Sequence, residues 1–252
     1  MKYLYLIYQV CIIPILLFVT ILTSIVTILG CFWGNGHFWG FYPGKIWARI
    51  ILRLLLLPVS VEYKCKLNNN TSYVFVANHQ GTFDIFLLYA FLDHNFKWMM
   101  KKGLRKIPFV GVACEKSHQI FVDKSGPKKI EQTIDNAKRI LQQGMSLTVF
   151  PEGARTFNGH MGLFRKGAFF LADELQMPIV PITIDGSFDV LPRTKGLINF
   201  IKWNKLKVVI HEPIYSRGKG PQNIHYLQEE SYKIIMNSLS PQYQGYSKNE
   251  DQ

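Results

Sequence analysis

His79 and Asp84 stand five positions apart in NHQGTFD, directly after the apolar run YVFVA. A histidine and an aspartate five apart do not share one helix face, where neighbours are three or four apart. If the chain turns at Gly81 and a helix starts near Thr82, Asp84 reaches back to the imidazole. It then fixes the ring tautomer and leaves the other nitrogen to take a proton from a substrate hydroxyl. Taken alone, His79 reads more readily as a loop or capping histidine than as a catalyst, and Asp84 as a carboxylate favoured in a first helical turn. A second cluster, FPEGARTFNG, follows another strand-like run. There Gly153 lets backbone donors approach a ligand closely, and Arg155 can grip a phosphate with two parallel hydrogen bonds. Glu152 can accept hydrogen bonds from a polyol; the plainer alternative is a solvated turn with a Glu–Arg pair. His118, Asp123 and Lys124 flank a third run.

These residues need strands to carry them. Strands are expected at 73–77, 119–122, 146–150, 178–184 and 207–212, where short apolar runs end in turn residues. Helices are expected at 127–144, opened by Pro127 and stopped by Gly144, at 165–175, and at about 223–239. Apolar strands alternating with amphipathic helices imply an α/β fold with a largely parallel sheet covered on both faces. In such sheets chemistry gathers at the loops beyond the strand ends.

Ahead of this domain lies YLYLIYQVCIIPILLFVTILTSIVTILGCFW, an uncharged, mostly apolar stretch. It is well beyond the ~18 residues that suggest a membrane helix, and too long for a secretory leader. Pro14 offers a bend, GNGHFWGFYPG an aromatic interfacial loop, and KIWARIILRLLLLPV a second helix whose Arg49 and Arg53 suit lipid headgroups. The division expected is a membrane-anchoring segment over 1–60, an α/β domain over 61–239, and a polar, disordered tail over 240–252. A hairpin in one leaflet, with the domain facing the cytoplasm, is the expected topology; a single span is the alternative. The chain of 252 residues carries a net charge of +12, and Lys2 is the one charged residue before Lys45. That balance suits anionic lipid or phosphorylated partners. No nucleic-acid motif, Walker loop or dinucleotide fingerprint occurs, so nucleic-acid and nucleotide binding are not expected. Four cysteines without ligand spacing argue against a disulfide framework or a metal site.

NHQGTFD, FPEGARTFNG and IVPITIDGS, in this order and spacing, resemble the glycerolipid acyltransferase family, and within it the 1-acylglycerol-3-phosphate acyltransferases. The resemblance covers residues 73 to 215. It implies transfer of a fatty acyl group from coenzyme A or acyl carrier protein to the sn-2 hydroxyl of a lysophosphatidate, with no metal or other cofactor. By resemblance His79 is the general base and Asp84 its partner; Glu152, Gly153 and Arg155 belong to the acceptor block, and Pro181 lies near the acyl chain. KKGLRKIPFVG resembles the segment in which Lys101 or Lys102 helps hold phosphate. Two positions depart from the family pattern. Lys124 stands where arginine is usual, keeping the charge but losing the rigid fork, and Ala154 replaces a threonine. Glycerol-3-phosphate or a lyso-aminolipid as acceptor, and a non-catalytic protein binding anionic lipid, are the alternatives.

Overall fold

The structure, a computed structural model, describes residues 2–123, 125–194 and 200–247. Among the described residues seven strands build one sheet: β1 (Val59–Tyr63), β2 (Val74–Ala77), β3 (Phe96–Lys101), β4 (Ile120–Val122), β5 (Ser146–Val149), β6 (Ile179–Asp185) and β7 (Leu206–Ile210). Their spatial order is β1-β7-β6-β2-β5-β3-β4. Every pairing is parallel except β6 with β7. The five expected strands are present, within a residue or two of the expected bounds, and β1 and β3 are additional.

Side-chain alternation divides the core between the two faces. In β2, Phe75 and Ala77 point into one cluster and Val74 and Val76 into the other. The second cluster is covered by α6 (Pro127–Leu141), α7 (Gly167–Leu175) and α9 (Pro221–Ser238), which match the three expected helices. The first cluster is covered by α4 (Asp84–Phe91) and by α1 (Lys2–Trp33) and α3 (Tyr42–Leu54), with the short α2 (Gly36–Trp39) between them. Helix α1 runs unbroken through Pro14.

Helices α1 and α3 are antiparallel. Tyr5 and Tyr8 donate their hydroxyls to the carbonyls of Leu55 and Leu54, and the Trp47 indole donates to Thr20. Ile12, Ala48, Ile51 and Leu52 share the core of β2 and β6. The expected boundary at residue 60 therefore falls inside β1, and the N-terminal helices pack on the domain as part of it. Most of α1 nevertheless presents apolar side chains outward, among them Leu4, Ile13, Phe18, Leu22 and Trp33.

At the other end, residues 240–247 are folded where disorder was expected. Ser240 donates its N–H to Asp185 at 2.8 Å, Tyr243 is buried, and the Ser247 N–H reaches the Met161 carbonyl. The last five residues lie outside the described part.

Candidate active site

Because β2, β5, β3 and β4 run parallel, their C-terminal ends open on one edge of the sheet. His79 follows β2 there. Its Nδ1 lies 2.7 Å from Asp84 Oδ2, and the Asp84 side chain is fully buried at the start of α4. Gly81 N–H donates to the same oxygen at 3.0 Å. The other carboxylate oxygen accepts from the Ser187 hydroxyl, which arrives from α8 (Ser187–Val190) just past β6. With both oxygens engaged, the carboxylate is held in one orientation. A face of the imidazole stacks on Phe150 with centroids 3.9 Å apart and planes 7° from parallel, and Phe150 in turn stacks on Trp98. Thus the ring is fixed in direction by Asp84 and in plane by Phe150. Nε2 makes no hydrogen bond among the described residues and His79 remains partly exposed, so this nitrogen can meet a substrate.

Glu152 is placed otherwise than expected. It is buried, and its two oxygens accept from the backbone N–H of His79 at 2.7 Å and of Gly162 at 2.8 Å. Burial, with the nearby Asp84 charge adding to it, pushes its carboxyl up to about 8, against the pull of those two amides. No oxygen is turned outward to a polyol; the side chain pins the backbone that carries His79. Gly153 has φ +78, a left-handed conformation that suits glycine. Its N–H closes a turn on the Phe150 carbonyl. The N–H groups of Ala154 and Arg155 take no acceptor among the described residues.

Arg155 is half-buried and its Nη1 donates to the Thr82 hydroxyl at 2.5 Å. Desolvation lowers its pKa, and the neighbouring Arg193 lowers it further while Asp84 opposes both. Arg193 donates to the Arg155 carbonyl and lies over the Phe157 ring at 4.3 Å. Arg165 donates to the Glu152 carbonyl at 3.2 Å. Among the described residues none of these three guanidiniums pairs with a carboxylate. Such a group of unneutralised forks is suited to an anion.

The remaining candidates are more scattered. Lys101 ends β3 and is exposed on the same sheet edge. Lys102 is paired with Asp123 at 2.8 Å. Lys124 lies outside the described residues. His118 precedes β4 and so sits at the opposite end of that strand from the site. Pro181 is buried in mid-strand beside Val76, away from any open surface. Its place has a backbone cause. Three steps along β6 from Ile179 to Ile182 face four steps from Ile210 to Ile214, a one-residue bulge. The bulge lets β7 continue past a residue with no N–H to give, while His211 donates to the Pro181 carbonyl.

Several working residues carry no chemical signal in the sequence. Asn78 bonds the backbone of Ile184 through both ends of its amide at 2.8 Å, tying the His79 loop to β6. Ser187 ends the quoted block IVPITIDGS, yet its role arises only because Gly81 lets it approach. A Cβ at Gly81 would run into the Ser187 carbonyl and hydroxyl. Among the described residues no group of three or more His, Cys, Asp or Glu is placed to hold a metal ion.

Comparison with known proteins bears on this arrangement. The acyltransferase family profile matches residues 58–185. A chloroplastic 1-acyl-sn-glycerol-3-phosphate acyltransferase of Brassica napus is 32% identical over 69% of this chain and 50% of its own length. A murine 1-acyl-sn-glycerol-3-phosphate acyltransferase alpha is 30% identical over 69% of this chain and 64% of its own. An uncharacterized acyltransferase of Schizosaccharomyces pombe is 32% identical over 79% of this chain and 71% of its own. The match thus spans about half the length of the plant relative. The crystal structure of the 1-acyl-sn-glycerophosphate acyltransferase of Thermotoga maritima superposes with a TM-score of 0.75, covering 92% of each chain at 22% identity. That likeness speaks for the fold: a mostly parallel α/β sheet flanked by helices. On the profile match and the yeast relative together, the chain belongs to the acyltransferase family.

Proposed function

We propose that this protein transfers a fatty acyl group from a thioester, on coenzyme A or acyl carrier protein, to the sn-2 hydroxyl of a 1-acylglycerol-3-phosphate, forming phosphatidic acid. The observation that carries this reading is the bond from Arg155 to Thr82. It holds a guanidinium that pairs with no carboxylate among the described residues against the very loop that carries the His79–Asp84 pair. A base and an anion grip in one loop fit an acceptor that has a free hydroxyl close to a phosphate. The names of the plant and animal relatives point to the same acceptor.

In this mechanism His79 Nε2 takes the hydroxyl proton as the oxygen attacks the thioester carbonyl. Asp84 steadies the imidazolium so formed, and Ser187 and Gly81 steady Asp84. The N–H groups of Ala154 and Arg155 are suited to the oxyanion. Collapse breaks the carbon–sulfur bond, and the imidazolium returns its proton to the departing thiolate. The product is an ester and a free thiol. The outward apolar face of α1 gives the protein a seat in the membrane, the site of both lipid acceptor and lipid product, with the catalytic domain on the cytoplasmic side. In a bacterial cell this would be the inner membrane.

Labelled-acyl transfer by the membrane-borne protein, with lysophosphatidate, glycerol-3-phosphate and a lyso-aminolipid each offered both thioester classes, tests the reading. Lysophosphatidate should be the preferred acceptor. Arg155→Ala should raise its apparent KM at least ~10-fold while leaving that of the thioester little changed, because one charge-assisted phosphate contact is lost. Equal effects on both substrates would place the phosphate elsewhere, and no transfer to any acceptor would leave a lipid-binding protein.

A further inference from the structure

Residues 101–109, KKGLRKIPF, are exposed without interruption, an unusual run for a segment so rich in apolar side chains. Leu104, Ile107 and Phe109 are 38%, 43% and 47% exposed, and Val112 on the following helix, α5 (Val110–Lys116), is 46% exposed. This exposure is built into the backbone. A 3-10 turn spans Lys102–Lys106, and Gly111 lets it press against α5, since a Cβ there would run into the Arg105 carbonyl. Phe109 is held at φ 60, ψ −54, and the Val110 N–H closes on the Pro108 carbonyl at 2.6 Å. This is the rare positive-φ γ-turn, which costs energy for a residue with a side chain and persists where surrounding structure enforces it. It turns a phenylalanine toward solvent in a place where a relaxed turn or a glycine would serve folding alone.

The charges are arranged to match. Lys102 is neutralised by Asp123 at 2.8 Å and Arg105 by Glu115 at 2.9 Å. Lys101 and Lys106 pair with no carboxylate among the described residues. The position of the loop is equally specific. It leaves the C-terminal end of β3, the edge on which His79 lies, and α5 packs directly on α1.

We propose that the 101–112 segment is a second membrane foot: Leu104, Ile107, Phe109 and Val112 enter the headgroup–acyl boundary of an anionic bilayer beside α1, and Lys101 and Lys106 rest on its phosphates. Two observations favour a bilayer over an acidic protein as occupant. The apolar side chains are at least as prominent as the cations, and α5, which carries the exposed Val112, packs on α1, whose outward side chains are apolar. Two supports at different points fix the tilt of the domain, so that the strand-end edge with His79 meets the lipid surface. This deepens the lipid-acceptor reading, although the location of the segment stands or falls independently of catalysis.

The test uses the full chain in vesicles of phosphatidylcholine with phosphatidylglycerol, with Cys11, Cys31, Cys65 and Cys114 replaced. An environment-sensitive dye is attached at Phe109→Cys, or at Ile13→Cys as the reference for insertion. Both dyes should be quenched by lipid-borne spin labels and shielded from aqueous iodide. Water exposure at position 109 with lipid quenching at position 13 overturns the proposal. So does shielding that requires added acyl carrier protein, or that follows protein density in place of lipid contact, which would indicate a second copy of the chain. The Leu104→Ser/Ile107→Ser/Phe109→Ser variant should lose at least ~10-fold in transfer to vesicle-borne acceptor and little in detergent micelles. Equal loss in both settings also overturns the proposal. If neither setting supports transfer by the parent chain, the catalytic reading fails while the dyes still report the foot.

Discussion

Glu152 in the folded chain keeps its proton to about pH 8, whereas in the unfolded chain it would release it near the ordinary 4.5. Between those values the folded state binds a proton that the unfolded state has lost. The stability this group contributes is therefore complete below 4.5 and fades as pH rises through 8. Glutamine at this position stays neutral throughout, but its amide nitrogen would face one of the two backbone donors now bonded to Glu152. A buried donor left unpaired costs ~1–3 kcal/mol. Glu152→Gln should accordingly melt below the parent at pH 5, and the gap should narrow by pH 8; a constant gap would contradict the assignment. Turnover should fall because the His79 backbone loosens, with little change in acceptor KM. A raised KM with turnover preserved would return Glu152 to the acceptor contact read from sequence. The His–Asp pair was legible because its chemistry is written in the residue types. The duties of Glu152, Asn78 and Ser187 were not, because each consists of a backbone or carboxylate partner that only the folded chain brings near.

Helix α6 was legible from Pro127 and from its one apolar face, and β2, β5 and β6 from runs buried on both sides. Strand β3 was not, because FKWMMK places Lys97 in the interior, where period-two alternation of apolar and polar residues fails as a guide. Strand β1 follows an apolar helix without a break in hydrophobicity and pairs with β7, far along the chain. Short α5 begins after the strained Phe109 with no capping side chain to announce it. The contact between the His79 loop and α8 is likewise invisible in sequence, and Gly81 is the residue that permits it. Gly81→Ala should overpack this contact at a cost of ~1–3 kcal/mol and draw the Ser187 hydroxyl away from Asp84. Loss of both melting temperature and turnover in the purified variant is the expected result. A protein with parental values of both would show that the approach is not needed.

For the whole molecule, the antiparallel α1 and α3 return the N-terminus to the place where the sheet begins. Gln9 also donates to the Ile201 carbonyl at 2.8 Å, binding the start of α1 to the domain. A straight span with the N-terminus on the far side would break these contacts and expose the core around Ile12. A hairpin in one leaflet would keep these contacts and is expected to leave both termini on the catalytic side. A tag at the N-terminus should therefore stay protected from an impermeant reagent on intact cells, as should a tag at the C-terminus. Labelling of the N-terminal tag alone would exclude the hairpin.

The proposed mechanism turns on one proton transfer, at His79 Nε2. Turnover of labelled acyl groups onto lysophosphatidate by His79→Ala, in protein shown to be folded and membrane-borne, is the most direct test. General-base catalysis contributes ~10²–10⁴-fold, so turnover should fall at least ~10²-fold with acceptor binding retained. Near-parental turnover in that protein would contradict the account.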